Sequence, residues 1–370
     1  MNIRRQLINL SDTCIDFRLG FGAMDQLPGL LKSVVALPKR ALLVSDKPSF
    51  RRFGDIVERS LIDAGFAIEP VFVEEASGSY SLEDAAAVFR GAQHAALTSD
   101  DLIVALGDAD VCGLVSWCAK SWQGGVSSAL IPLTLDAMVC SATGMKPISA
   151  AAGELPSLSL FPEPDLVVCD LSLAAAAEPE SLKLGYVEGL LSAFVDSRSR
   201  WDDFGRIIPE LIDGDEISLI DCVGWAQGSR RDVVCAANIG AQSALDFGCV
   251  SAHALASCLG HSYPAYQLRA EGMRFEARLA HEICDFDLDD VFELDDRFDD
   301  LGIDEAGFTL DVQTFVSALH KERFCTSNRF LFALPQAIGT VRLTSVDDDV
   351  LMRHAEAYLS SRADIARSAC

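Results

Sequence analysis

DLIVALGDADVCGLVSWCAKSWQGGVSSALIPLTLDAMVCSATGMK, residues Asp101 to Lys146, is the stretch whose reading decides the fold. Leu102 to Leu106 is an apolar run that stops at Gly107, enters the small acidic loop Gly107-Asp108-Ala109-Asp110 and continues as an apolar, helix-like segment. A short apolar run closed by glycine reads as a buried strand, and the segment after it as a helix. In an open α/β sheet, such a strand-turn-helix junction is where a nucleotide pyrophosphate sits, because unpaired N–H groups at the helix start attract anions. Here Asp108 and Asp110 put carboxylates where a phosphate cradle uses bare backbone.

Moving outward, the same alternation recurs. Cys14 to Phe17 reads as a strand, followed by a glycine turn and a helix in LGFGAMDQLPGLL. Ala41 to Asp46 is a buried strand ending in a carboxylate, and Phe50 to Ala64 a helix closed by Gly65. After a strand from Val71 to Glu74, Ser81 caps a helix whose first turn holds Glu83 and Asp84, as the helix dipole favours. Further strands begin near Ala129 and Leu166. Strands alternating with helices predict a mostly parallel sheet covered on both faces, a Rossmann-like α/β domain. Beyond Asp170 the pattern turns helical: Leu182, Tyr186, Leu190 and Phe194 recur every four residues. The reading is an α/β domain over residues 1–174 and an all-α domain over 175–370.

Acidic residues outnumber basic ones 55 to 30 across the 370 positions, a formal net charge of -25. Such a chain repels nucleic-acid phosphates and acidic membrane surfaces, so neither is an expected partner. No apolar run approaches the roughly 20 residues that span a bilayer. The beginning, MNIRRQLINLSD, lacks a signal peptide's apolar centre, and the expected location is cytoplasmic. The 12 cysteines are scattered without a C-x-x-C pair, as in a protein with reduced thiols.

These residues resemble the core of the dehydroquinate synthase family of sugar phosphate cyclases. That family writes a strand ending LGGGVVGD, then Pro-Thr-Thr, then Asp-Ser-Ser-Val-Gly-Gly-Lys. Gly107, Pro132, Thr134, Ser141, Gly144 and Lys146 stand in matching order. Asp108 and Ala109 replace two glycines, Cys112-Gly113 replaces the Gly-Asp, and Cys140 replaces the second motif's aspartate. The resemblance implies a dehydroquinate synthase-like fold, commonly a homodimer, with NAD and zinc as cofactors. It places Asp46, Gly107, Asp108 and Thr134 at the NAD site. Ser77 and Tyr80 stand where the family carries Gly-Glu with a lysine three residues later, its polar contacts to the cofactor. With carboxylates in the cradle, NAD is expected to bind weakly or not at all.

The family's metal is held by a glutamate in AEVIKYG and by histidines in GHTFGHAIE and LHGEAV. Glu188 of GYVEGLL falls on the glutamate, Cys249 of LDFGCVSAHALAS on the first histidine, and His253 on a second, non-ligand histidine. Matching LHGEAV to AYQLRAEGM puts Ala265 on the last ligand. His261 would then be the remaining donor, and Glu188, Cys249 and His261 the metal set. With Ala265 removing a donor, the expectation is a protein that holds no zinc as purified. HALAS also resembles the metal helix of iron-type alcohol dehydrogenases, with Ser192 where a histidine belongs.

The family grips a phosphorylated, carboxylated substrate with cationic side chains. Lys146 and Lys321 match two of them, while Leu191, Leu155 and Asp246 stand on three other polar positions. The resemblance thus implies Lys146, Glu188, His253 and Lys321 as catalytic candidates. The leading expectation is a cyclase-type enzyme of a specialised pathway acting on a small anionic polyol or sugar phosphate. The alternatives are a catalytically silent homologue binding a metabolite or partner protein, and an iron-type alcohol dehydrogenase-like oxidoreductase. The acidic run from Asp285 to Glu305 lacks a calcium loop's glycine and spacing. It reads as a surface segment with its carboxylates in water.

Overall fold

The computed structural model describes residues 3–10, 13–74, 79–326 and 328–368, with the side chains at 239, 261 and 323–326 left aside. The chain forms two units, Met1–Gly185 with Leu219–Arg231, and Tyr186–Ser218 with Asp232–Cys370.

The first unit is built on a seven-stranded sheet. Its strands are β1 (Arg4–Asn9), β2 (Cys14–Gly20), β3 (Arg40–Asp46), β4 (Ala67–Val73), β5 (Leu102–Gly107) and β6 (Ser127–Pro132); β7 (Ile148–Ser149) and β8 (Pro156–Leu158) form a separate small ladder, and β9 (Leu166–Asp170) completes the main sheet. The order across it is β1-β2-β9-β6-β5-β3-β4, parallel except for β1. Every residue of β5 and β9 is buried, which is why these strands are runs of Leu, Ile and Val without alternation. Pro70 cannot donate to a ladder, and it lies in β4 at the edge, where no second neighbour asks it to.

The helices α1 (Leu27–Val34), α2 (Lys47–Ala64), α3 (Leu82–His94), α4 (Ala109–Ser121) and α5 (Leu135–Cys140) connect these strands, α6 (Leu171–Ala175) follows β9, and α7 (Pro179–Asp196) runs from the first unit into the second. Leu27 and Leu31 of α1 and Val57 and Leu61 of α2 pack with Leu43, Val104, Ala129 and Val168 of the sheet. Each such side chain contributes about 1.5–3 kcal/mol by leaving water. Gly65 ends α2 at φ 100°, a conformation that side chains resist, and its N–H closes on Leu61 and Ile62 carbonyls. Asp170 accepts from the N–H groups of Gly22 and Met24, pinning the LGFGAM turn to the end of β9.

In the second unit lie α8 (Arg198–Ile212), the outer parts of α9 (Glu216–Val234), α10 (Ile239–Gln242), α11 (Cys249–Leu259), α12 (Ala265–Cys284), α13 (Leu288–Asp300), α14 (Val312–Thr326) and α15 (Asp348–Ser368), with one hairpin of β10 (Leu331–Ala337) and β11 (Thr340–Ser345). The middle of α9 returns to the first unit, where Gln227 donates to the carbonyls of Met138 and Val139. Residues Leu268 to Ala277 of α12 are all buried, making it the central helix of its unit. Gly272 lets it approach α11: a Cβ there would lie 2.2 Å from the Gly248 carbonyl oxygen and 2.7 Å from the Ala252 nitrogen.

The acidic run corrects the expectation of a segment merely laid on the surface. It forms the amphipathic helix α13, with Val291, Leu294 and Phe298 buried and Phe292 exposed. Its carboxylates are not all left to water. Asp295 binds Arg274 and Arg278, and Glu293 binds Arg198 and Arg297. No helix among the described residues is long and apolar enough to cross a membrane.

Candidate functional site

From β3 the chain steps outward to β4 and then crosses back to β5, so the switch point of the sheet lies between the ends of β3 and β5, which pair Ser45 with Leu106. Ligands of open α/β sheets bind at such a point. Three carboxylates stand here. Asp46 ends β3 and caps α2, accepting from the Ser49 N–H at 2.8 Å. Asp108 follows β5 and caps α4, its Oδ1 accepting from the N–H groups of Asp110 at 3.0 Å and Val111 at 2.9 Å. The helix N-terminus that would meet a phosphate is therefore already satisfied by the chain's own carboxylate. Gly107 is needed for the turn, since a Cβ there would come within 2.7 Å of the Val111 side chain.

Asp110 pairs instead with Lys146, whose Nζ is 3.4 Å from Oδ1. The stem of Lys146 lies on Gly113, where a Cβ would come within 2.3 Å of the Lys146 Cβ, so Gly113 makes room for the lysine. The same lysine borders a shallow recess lined by Ala109, Gly113, Ser116, Cys140 and Ser141. Burial pushes the Asp108 carboxyl above its ordinary range; the Val111 N–H opposes this and Asp110 adds to it. Tyr80 is buried and its phenol is pushed up too, first by burial and then by Asp108, Asp46 and Asp110. Thr134 caps α5, its hydroxyl oxygen buried with no partner among the described residues. Ser77 lies outside the described residues.

The second unit gathers a different set. Glu188 on α7 accepts from Nε of Arg269 on α12 at 3.2 Å. The other two guanidinium nitrogens donate to main-chain carbonyls, Nη1 to Phe247 at 2.7 Å and Nη2 to Leu245 at 3.2 Å. Arg269 is buried, and although burial alone would lower its pKa, Cys249, Glu188 and Glu276 around it drive the net shift upward. Cys249 opens α11, its thiol facing the Leu245 carbonyl at 3.8 Å. Burial pushes that thiol up to about 12 against the pull of Arg269, so it is a neutral thiol at pH 7. Glu276 accepts from the Gly248 N–H at 2.7 Å and from the N–H and hydroxyl of Ser251 at 3.2 and 2.8 Å, capping α11 from below.

Of the remaining candidates, His253 lies on the solvent side of α11, 68% exposed and 3.7 Å from Glu322 of α14. Lys321 is on the exposed side of α14, and the His261 side chain lies outside the described residues. Among the described residues, no group of three or more His, Cys, Asp or Glu side chains is placed to hold a metal ion. Ala265 is the first residue of α12, and the side chain reaching Glu188 is Arg269, one turn further on. The signal was present in the sequence: Leu268-Arg269-Ala270-Glu271 matches Leu-His-Gly-Glu of LHGEAV at its leucine and glutamate, with arginine on the histidine.

The model of the 3-dehydroquinate synthase N-terminal family matches residues 70–183. A 3-dehydroquinate synthase from Nostoc punctiforme is 24% identical over 356 residues, 93% of this chain and 96% of that protein. The chain is similar to the dehydroquinate synthases along most of its length. Solved structures show the shared fold of the family and its relatives. A 2-epi-5-epi-valiolone synthase from Streptomyces hygroscopicus, with NAD+ and Zn2+ bound, superposes with TM-score 0.81 at 15% identity, covering 97% of this chain and 99% of that one. An iron-containing alcohol dehydrogenase from Thermotoga maritima superposes at 0.65 with 11% identity, covering 97% and 100%. As a dehydroquinate synthase-like protein, the chain combines the α/β sheet unit and the mostly helical unit of those cyclases.

Proposed function

We propose that this dehydroquinate synthase-like protein does not carry out NAD- and metal-dependent cyclisation, and is a catalytically silent binding protein for a small anionic metabolite or a partner protein. The observation that carries this reading is Asp108, which takes two of the free N–H groups at the start of α4, those of Asp110 and Val111, with one carboxylate oxygen. A pyrophosphate at that helix would displace the cap and face Asp46, Asp108 and Asp110 together. Like charges a few ångströms apart in a partly buried site cost on the order of 4 kcal/mol per pair. The residues at the switch point therefore do not fit NAD, and those around Arg269 do not fit a divalent cation.

Calorimetric titration with NAD tests the reading: no binding is expected below about millimolar concentration, and a dissociation constant in the low micromolar range sinks it. Failure to complement a strain lacking dehydroquinate synthase is the matching expectation in cells. The oxidation and re-reduction of that reaction need the nicotinamide.

A second reading, an enzyme acting on a small anionic polyol or sugar phosphate, is favoured by Lys146, whose side chain is 44% exposed beside the recess at α4. A melting shift with sugar phosphates but no turnover favours the silent protein, and turnover favours the enzyme. An alcohol dehydrogenase-like oxidoreductase needs both nicotinamide and metal, and meets the same two obstacles. We further propose a cytoplasmic homodimer; the absence of any disulfide among the described cysteines supports the reducing compartment.

A further inference from the structure

We propose that Arg269 is a built-in cation that stands where the family's metal would be, so that the second unit assembles without a metal and keeps one out. This deepens the proposed function but is tested by metal content rather than by NAD affinity, so either can fail alone. The observation is the set of partners around the guanidinium. A carboxylate oxygen of Glu188 and the carbonyl oxygens of Phe247 and Leu245 converge on one buried positive charge, as oxygen ligands converge on a cation. Each guanidinium nitrogen has an acceptor, so the group is consumed in holding these elements together.

Three separate pieces of the chain are fastened by it: α7 through Glu188, the turn before α11 through Leu245 and Phe247, and α12 through Arg269 itself. A metal could perform the same fastening, but only with neutral or anionic donors at position 269. A divalent ion introduced beside the guanidinium would meet like charge, and Glu188 would already be engaged. The i and i+3 positions of LRAEGM set the arginine in register with the family's histidine, so a single change of side chain exchanges ligand for cation.

The full-length protein, stripped with chelator and dialysed against cobalt(II), is compared with the Cys249→His/Arg269→His double variant, in which two imidazoles join Glu188. The wild type is expected to take up less than about 0.1 equivalent of cobalt, to show no d–d absorbance and to melt at the same temperature with and without chelator. The double variant is expected to bind about one equivalent, with visible d–d bands and a melting temperature that rises with metal. A folded double variant that takes up no cobalt overturns the assignment of Arg269 as the group that keeps metal out. Should that variant not fold, the wild type still decides: about one equivalent of cobalt, lost in Glu188→Gln, overturns the proposal.

Discussion

Arg269 Nε donates to Glu188 Oε1 at 3.2 Å, joining two helices whose residues stand 81 positions apart in the chain. The pair is nearly enclosed, with 8% and 15% of the two side chains exposed. A buried ion pair need not add stability relative to an apolar one, but breaking it strands a charge.

Glu188→Ala is therefore expected to destabilise the protein by about 3–5 kcal/mol, measured by urea denaturation, because the guanidinium stays buried without its carboxylate. Glu188→Gln retains an acceptor oxygen and is expected to lose less. A loss under about 1 kcal/mol in Glu188→Ala would mean that the pair is open to water.

Asp108→Gly with Ala109→Gly restores two glycines at the start of α4. Glycine is an adequate N-cap and Ala109→Gly in the first turn costs up to about 1 kcal/mol, so stability should fall by about 1 kcal/mol. The Asp110 and Val111 N–H groups lose their acceptor and one carboxylate leaves the switch point. NAD affinity by calorimetry should rise at least about tenfold over the wild type, which is roughly 1.4 kcal/mol. Unchanged affinity would show that Asp108 is not what opposes the cofactor.

Glu276 makes stability depend on pH. Burial, opposed by the N–H groups of Gly248 and Ser251 and the Ser251 hydroxyl, pushes its carboxyl up from 4.5 to about 7. A carboxyl whose pKa is higher folded than unfolded holds its proton in the folded protein over that interval, so stability falls as pH rises. The contribution is complete below about pH 4.5 and is lost through pH 7, a span worth roughly 3 kcal/mol. The difference in melting profile between the wild type and Glu276→Gln should carry this slope between pH 5 and about 7. A difference independent of pH across that window contradicts it.

Gly272→Ala should be among the most damaging single-methyl changes in the second unit. The added carbon would meet backbone atoms of Gly248 and Ala252, which cannot rotate away, so α11 and α12 must separate. Overpacking of this kind costs about 1–3 kcal/mol or more. Chemical denaturation checks it, and a neutral variant would show that the two helices slide apart freely.

What was legible in the sequence alone is what acts within a few residues. The apolar runs of β3, β5 and β9, the cap at Ser81, the stop at Gly65 and the carboxylates at Asp108 and Asp110 follow from periodicity and local chemistry, and the net charge from counting. Motif order further carried the family, because glycines and lysines hold their spacing where the turns need it. The partners of those residues were decided only by tertiary structure. Nothing local says that Lys146 rests on Gly113 and pairs with Asp110. Motif matching placed Ala265 on the last ligand, and only the folded chain shows that Arg269 is the side chain reaching Glu188. The same holds for the acidic run, whose carboxylates meet arginines far away in sequence. Hydrogen bonds and ion pairs of this range form only where burial has already brought two elements together, so they follow the packing and not the local chain.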